Sequence, residues 1–249
     1  MLHSNIGELA QAPFWASVLE IALVNILLSG DNAVIIAMAC RELPRRQRTW
    51  GIAIGAGVGV VLRLIFAGVI TWLFELPYLK IIGGVALLYI GVRLLVPREP
   101  ESSQVKTSVR LWQAVWIIVV ADIVMSFDNI LALVEIANGD GALLAIGLAI
   151  SIPLVVGGAA LITTLLDRLP ILIWAGAALL GWVAGNTIIG DTAIAGAVTH
   201  AVGERFAPYV ALAAAAGGTL LVIVAGGLWR RRQFSKISAR APRSNTLRS

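Results

Sequence analysis

Stretches of about twenty residues with almost no charge recur along the whole chain, at 13–40, 50–73, 78–96, 111–136, 141–165, 170–189 and 208–229. Twenty helical residues span the roughly 30 Å hydrocarbon core of a bilayer, and lipid offers no partner to backbone left unpaired. Such segments are satisfied as membrane-crossing helices. The chain therefore reads as one all-α polytopic membrane domain with seven transmembrane helices. Only 13% of its residues are charged, about half the share in a soluble domain, so no soluble domain is expected beside it.

The basic residues orient these spans. With the N-terminus outside, every Lys and Arg of the 19 falls on the cytoplasmic side except Arg63, Lys80 and Arg205. The positive-inside rule thus supports an N-out, C-in arrangement in a bacterial-type inner membrane. It divides the chain into an extracytoplasmic N-terminus (1–12), three helices (13–96), a cytoplasmic linker (97–110), three more helices (111–189), an outer loop (190–207), a seventh helix (208–229) and a basic cytoplasmic tail (230–249). The tail is polar and Ser-rich, and it is expected to be disordered. The basic balance reflects orientation and contact with anionic lipid, and no nucleic-acid partner is expected. The first twelve residues lack Lys and Arg, so they lack a signal-peptide n-region, and the first apolar segment is expected to stay in the mature protein.

Several chemistries lack material. Cys40 is the one cysteine, which excludes an internal disulfide and a thiolate metal cluster. His3 and His200 are far apart in polar segments, so a His-rich zinc site has nothing to build from. No prosthetic group is expected. The "GAGVG" run at 55–59 lacks the spacing of a dinucleotide loop, and the Gly-Gly pairs beginning at Gly83, Gly157, Gly217 and Gly226 are read as sites of close helix approach.

The chain repeats itself. Ser29-Gly30-Asp31-Asn32 aligns with Ser126-Phe127-Asp128-Asn129 at an offset of 97. "ELP" at 75–77 aligns with "RLP" at 168–170 at an offset of 93, and "IIGGVALLYIGV" (81–92) resembles "IWAGAALLGWVA" (173–184). Three spans per copy is an odd number, so the second copy enters from the opposite face. This makes two inverted three-helix repeats plus a final helix, an architecture of transporters that place substrate near the midplane between copies.

Acids in the spans sharpen that reading. Glu20, Asp31, Arg63, Asp122, Asp128 and Glu135 all lie in apolar segments, where each central charge costs about 2.5–3.5 kcal/mol. A cation, a proton or a water-filled cavity must offset that cost. On an unbroken helix Glu20 and Asp31 share one stripe, and Asp128 shares a face with Glu135. Asn25, Ser29, Asn32, Ser126 and Asn129 add neutral oxygens. Carboxylate, amide and hydroxyl oxygens suit hard divalent cations such as Mg²⁺, Ca²⁺ or Mn²⁺. The same carboxyls can titrate, which makes protons a candidate counter-ion. More local readings compete: Glu20 paired with Arg63, Glu135 solvated in the outer interface, and the asparagines as interhelical glue.

The segments "LVNILLSGDNAVIIAMA" and "VVADIVMSFDNILALVEIA" resemble the TerC family of integral membrane proteins, in its branch with Asp-Asn motifs in both repeats, within the wider LysE-type exporter group. The likeness extends through "VLRLIFA", "LPYLKIIGG", "LAISIPLVV" and "AALLGWVAG", over residues 15–192. It implies a seven-span fold and export of divalent cations, chiefly Mn²⁺, with Asp31, Asn32, Asp122, Asp128 and Asn129 lining the ion site. Glu20, Asn25, Ser29, Arg63, Ser126, Glu135 and Asp191 are then candidates to support those ligands or to line the ion's path. The chain departs from the family pattern A-G-E-x-x-x-E-D after the sixth span: it has Asn186 and Gly190 where acids are expected, and keeps Asp191. Two alternatives to export stand beside it. One is an accessory membrane protein of metal loading or tellurite resistance without transport of its own. The other, more remote, is an intramembrane aspartyl protease with Asp31 and Asp128 as its dyad. Neither residue pattern nor resemblance specifies an oligomeric state.

Overall fold

The computed structural model describes residues 12–74, 76–96, 107–138 and 140–240. The N-terminus through residue 11, most of the linker and the end of the tail lie outside the described residues. Among the described residues every regular element is a helix: α1 Ala12–Leu28, α2 Gly30–Cys40, α3 Arg45–Phe74, α4 Leu79–Leu95, α5 Thr107–Ile136, α6 Gly141–Arg168, α7 Ile171–Ile189, α8 Thr192–Val202 and α9 Ala207–Arg240.

All seven apolar stretches fall on helix. Helices α3, α5, α6, α7 and α9 are each long and apolar enough to cross a membrane, and α1 with α2 makes a sixth crossing if the bent pair is one span. Helix α4 has 17 residues, a rise of about 26 Å against a hydrocarbon core of about 30 Å.

The first span is broken. Helices α1 and α2 meet at 54°, with Ser29 leaving the helical region at φ −102°, ψ 6°. The peptide between Asn32 and Asp31 is held locally, because the Asn32 N–H donates to Asp31 Oδ1 at 2.8 Å. The corresponding segment of α5 has Phe127 in place of Gly30 and runs unbroken for 30 residues. Glu20 and Asp31 therefore do not share a stripe. The bend re-aims α2, leaving Glu20 exposed on the outer face with Leu19 and Leu23, while Asp31 is half-buried.

Two further expectations change. The tail from Arg230 is not disordered at its start, since α9 continues to Arg240. Arg, Gln and Lys are good helix formers that extend a helix already nucleated by packed turns, and the Arg230 guanidinium stacks 5.6 Å from the Trp174 ring centre. The segment 190–207 is mostly the short helix α8. Its start is capped by Asp191, whose side chain accepts from Ala193 N–H at 2.9 Å.

Helices α1 and α2 lie on α6 as α3 lies on α5, while α3 also meets α6 and α4 meets α7. The contacts α1–α5, α2–α5, α2–α7 and α4–α5 also join the two halves. Leu76-Pro77 and Leu169-Pro170 both fall in helix-to-helix turns. Helix α9 packs on α7 through facing small residues: a side chain on Gly181 or Gly185 would run into the α9 backbone at Gly218 or Ala214. Of the Gly-Gly pairs, those at 83, 217 and 226 contribute such a contact, whereas Gly157 and Gly158 face open space.

Buried apolar side chains form two clusters. One holds α2, α4, α7 and the first half of α5; the other holds α1, the α5 C-terminal half and the start of α6. Along α5 the first ends at Met125 and the second starts at Ile130, and between α1 and α2 the gap runs from Ile21 to Ala33. Both motifs lie in that gap.

Candidate intramembrane ion site

The gap between the apolar clusters is filled by polar side chains from α1, α2, α3, α5 and α6. Asp122, Arg63, Asn25, Ser126, Ser29, Asn32 and Ser151 are all buried. Asp122 sits at the middle of thirty-residue α5. Arg63 Nη2 donates to its Oδ1 at 2.8 Å, and Ser126 Oγ donates to its Oδ2 at 3.2 Å. The pairing expected between Glu20 and Arg63 does not form, since Arg63 turns inward to Asp122.

Arg63 reaches a second acceptor. Its Nη1 donates to Asn25 Oδ1 at 3.2 Å, and that oxygen also accepts from Ser29 Oγ at 3.4 Å. Asn25 Nδ2 donates to Ser151 Oγ on α6. Asn25 and Asp122 are equivalent positions, 97 residues apart, as are Ser29 and Ser126. Each serine bonds back to the residue four before it, and one guanidinium joins the two copies. The same local hydrogen bond thus occurs in two helices, bridged where they meet.

The Asp-Asn motifs add to this cluster. Asp31 lies within electrostatic reach of Arg63 and Asp122. Asn32 is 4% exposed, and neither its Nδ2 nor its Oδ1 has a partner. A buried amide without hydrogen bonds is costly. Its side chain lines a cavity of about 10 Å³ with Gly59, Arg63 and Asp122, roughly room for one water. Asn129 is spent differently: its Nδ2 donates at 3.1 Å to the Leu28 carbonyl, which the break at Ser29 frees from its helix. The backbone of Asp128 continues α5, but its side chain lies outside the described residues.

Among the described residues no three of His, Cys, Asp and Glu gather to hold a metal. What they offer is two carboxylates, the free amide of Asn32 and the Ser126 hydroxyl, with Arg63 neutralising Asp122. Oxygen donors are the kind that hard cations prefer.

Other candidates lie elsewhere. Glu20 and Glu135 are exposed. Asp191 is buried and accepts backbone N–H groups from Tyr78 and Lys80 at 3.0 Å, Ile81 at 3.2 Å and Ala193 at 2.9 Å. It therefore caps α8 and, from a distance in sequence, the start of α4. Burial acts against its charge, but the four N–H groups outweigh this and hold its carboxyl below the usual carboxylate range. Asn186 is exposed and Gly190 ends α7.

Two participants escaped the sequence reading. Ser151 carried no motif. Gly59, met in the sequence only as the end of the 55–59 glycine run, makes room for the acid: a Cβ there would stand 3.1 Å from Asp122 Oδ2. The equivalence of Asn25 and Asp122 was available as a signal, since the offset of 97 contains it.

Residues 10–234 match the family model described as "Integral membrane protein TerC family". The chain is 39% identical over 175 residues to "Uncharacterized membrane protein YjbE" of Bacillus subtilis, covering 70% of this chain and 80% of that protein. It is 26% identical to "Uncharacterized membrane protein YceF" of the same organism, over 66% of this chain and 67% of that one. A "UPF0053 inner membrane protein YoaE" of Escherichia coli is 27% identical over 50% of this chain, which spans only 28% of that protein's length. No solved structure matches the chain significantly.

Proposed function

This chain belongs to the TerC family of integral membrane proteins, and on that footing we propose that it exports divalent metal cations, Mn²⁺ before Mg²⁺ or Ca²⁺. The observation that carries the proposal is the meeting of equivalent polar positions from both repeats in a buried band between two apolar clusters. Most buried polar atoms in folded proteins are paired. Here the Asn32 amide is left open toward the cavity beside Asp122.

The membrane arrangement in this proposal has seven spans, N-terminus out and C-terminus in, in a bacterial-type inner membrane. Helix α4 serves as the third span although it is short, because Lys80 and Arg93 near its ends can reach the interfaces. The exchange of contacts, α1 and α2 on α6 against α3 on α5, supports inverted repeats. The seven-part division read from the sequence is retained with α8 inside the outer segment.

In the proposed cycle the ion enters from the cytoplasm and binds between Asp31, Asn32, Asp122 and Asp128, with Asn129 holding the helix break open beside it. The repeats then rock to release the ion outward. A cavity with room for about one water requires the ion to shed most of its shell. Mg²⁺ sheds water reluctantly and demands near-ideal octahedral geometry, which supports a softer, more tolerant ion such as Mn²⁺. Proton counter-flow is the coupling to test, with flux measured across an imposed pH gradient.

The test is protection of a Mn-sensitive host. Asp31→Asn and Asp128→Asn are expected to abolish protection at unchanged protein level, and wild-type-like protection by both would refute the proposal. An accessory protein without transport of its own would instead leave purified, reconstituted protein silent.

A further inference from the structure

The proposed transport site contains a positive charge of its own, and its geometry defines a role. Arg63 is 4% exposed and lies in the middle part of α3. One guanidinium nitrogen holds Asp122 and another holds Asn25, while Nε, though buried, has no partner. The guanidinium is held at its outer end, beside the cavity that its own side chain helps to line.

Charge makes the position functional. Asp122 is buried away from water and needs a compensating cation or proton at every stage of a cycle. When cargo occupies the site, a divalent ion fills that need. When cargo leaves, the carboxylate is exposed to a low-dielectric interior unless something replaces the ion. The sequence supplies the replacement once: the position equivalent to Arg63 in the second repeat, at the offset of 93, is Val156. The acid is likewise single at its level, since Asn25 stands opposite Asp122. The guanidinium and the acid thus form a matched pair between the repeats.

Resting on the export reading, we infer that Arg63 is a tethered counter-cation that alternates with the transported ion. In the conformation described it occupies the place of the cargo on Asp122. An arriving divalent ion displaces it, and its return helps to expel the ion on the far side. Arg63 so sets how tightly the site holds its cargo. The binding-competent fraction is the one with the guanidinium withdrawn, and the apparent affinity is lowered accordingly.

This gives binding and transport opposite signs. In Arg63→Gln, Mn²⁺ binding to purified protein in nanodiscs, measured by calorimetry, is expected to tighten by about tenfold or more, while flux in proteoliposomes falls because nothing drives release. Arg63→Lys keeps a cation and is expected to retain flux. Binding by folded Arg63→Gln that is equal to or weaker than wild type overturns the inference. Wild type carries a second readout should Arg63→Gln not fold. With ¹⁵N-arginine label, the guanidinium stretching bands in infrared difference spectra are expected to shift on addition of Mn²⁺. Unchanged arginine bands with metal bound also overturn it. Wild type that neither binds nor carries Mn²⁺ contradicts the export reading itself and removes the inference with it.

Discussion

Two aspartates in this fold are almost equally hidden from solvent and are kept there in opposite ways. Asp191 is 1% exposed and Asp122 is 6% exposed. Asp191 accepts four backbone N–H groups where two helix starts meet. Asp122 accepts one hydroxyl and one guanidinium. Backbone donors cannot leave without unwinding a helix, whereas a guanidinium sits at the end of a rotatable stem. The difference teaches that burial of an acid says little about function until its partners are known. Fixed donors make Asp191 a joint between two helices, and in the proposed export cycle the guanidinium makes Asp122 exchangeable.

The comparison can be broken from either side. Asp122→Ala leaves Arg63 buried and unpaired, and removal of one partner from such a pair costs about 3–5 kcal/mol. A large fall in the thermal unfolding midpoint in detergent is expected, together with Mn²⁺ flux at background. Asp191→Ala removes the cap of two helices, for a loss of about 2 kcal/mol at typical cap values. Its unfolding midpoint should fall, yet flux per folded molecule should stay at the wild-type level. Equal loss of flux in both variants would erase the distinction.

Smaller changes sharpen it. Gly59→Ala places a methyl against the Asp122 carboxylate, 3.1 Å from Oδ2. Overpacking of this kind costs about 1 kcal/mol, and a lowered Mn²⁺ affinity with a near-native melt is expected. The smallest effect is one of pH. The folded-state carboxyl of Asp191 is held below its ordinary value, so its contribution is present above the unfolded value of about 3.9 and is lost as pH falls through the folded one. The stability gap between wild type and Asp191→Asn should be constant above about pH 5 and narrow below about pH 4. A gap that widens in acid would contradict the assignment.

Much of the frame was legible in the residues. Apolar length marked where helix would form, and the aligned Leu-Pro pairs fall in two of the turns. These are local signals. The stripe shared by Glu20 and Asp31 failed because it assumed a continuous helix across Ser29. The fate of Arg63 was not legible, because a guanidinium in a span can pair with any acid that tertiary packing brings to it, and only packing chooses Asp122 over Glu20. The neighbour of Gly59 was not legible for the same reason: it is a carboxylate from another helix. Asp191 looked like an ion-pathway acid, although Asp followed by Thr-Ala-Ile at a helix start is also an N-cap signal.

The most direct measurement is Mn²⁺ uptake into proteoliposomes holding only this protein, comparing wild type with Asp31→Asn and Asp128→Asn. If acids from both halves share one ion, wild-type uptake saturates with Mn²⁺ and either substitution reduces it to the level of empty vesicles. Uptake that persists at the wild-type rate in both variants contradicts the account.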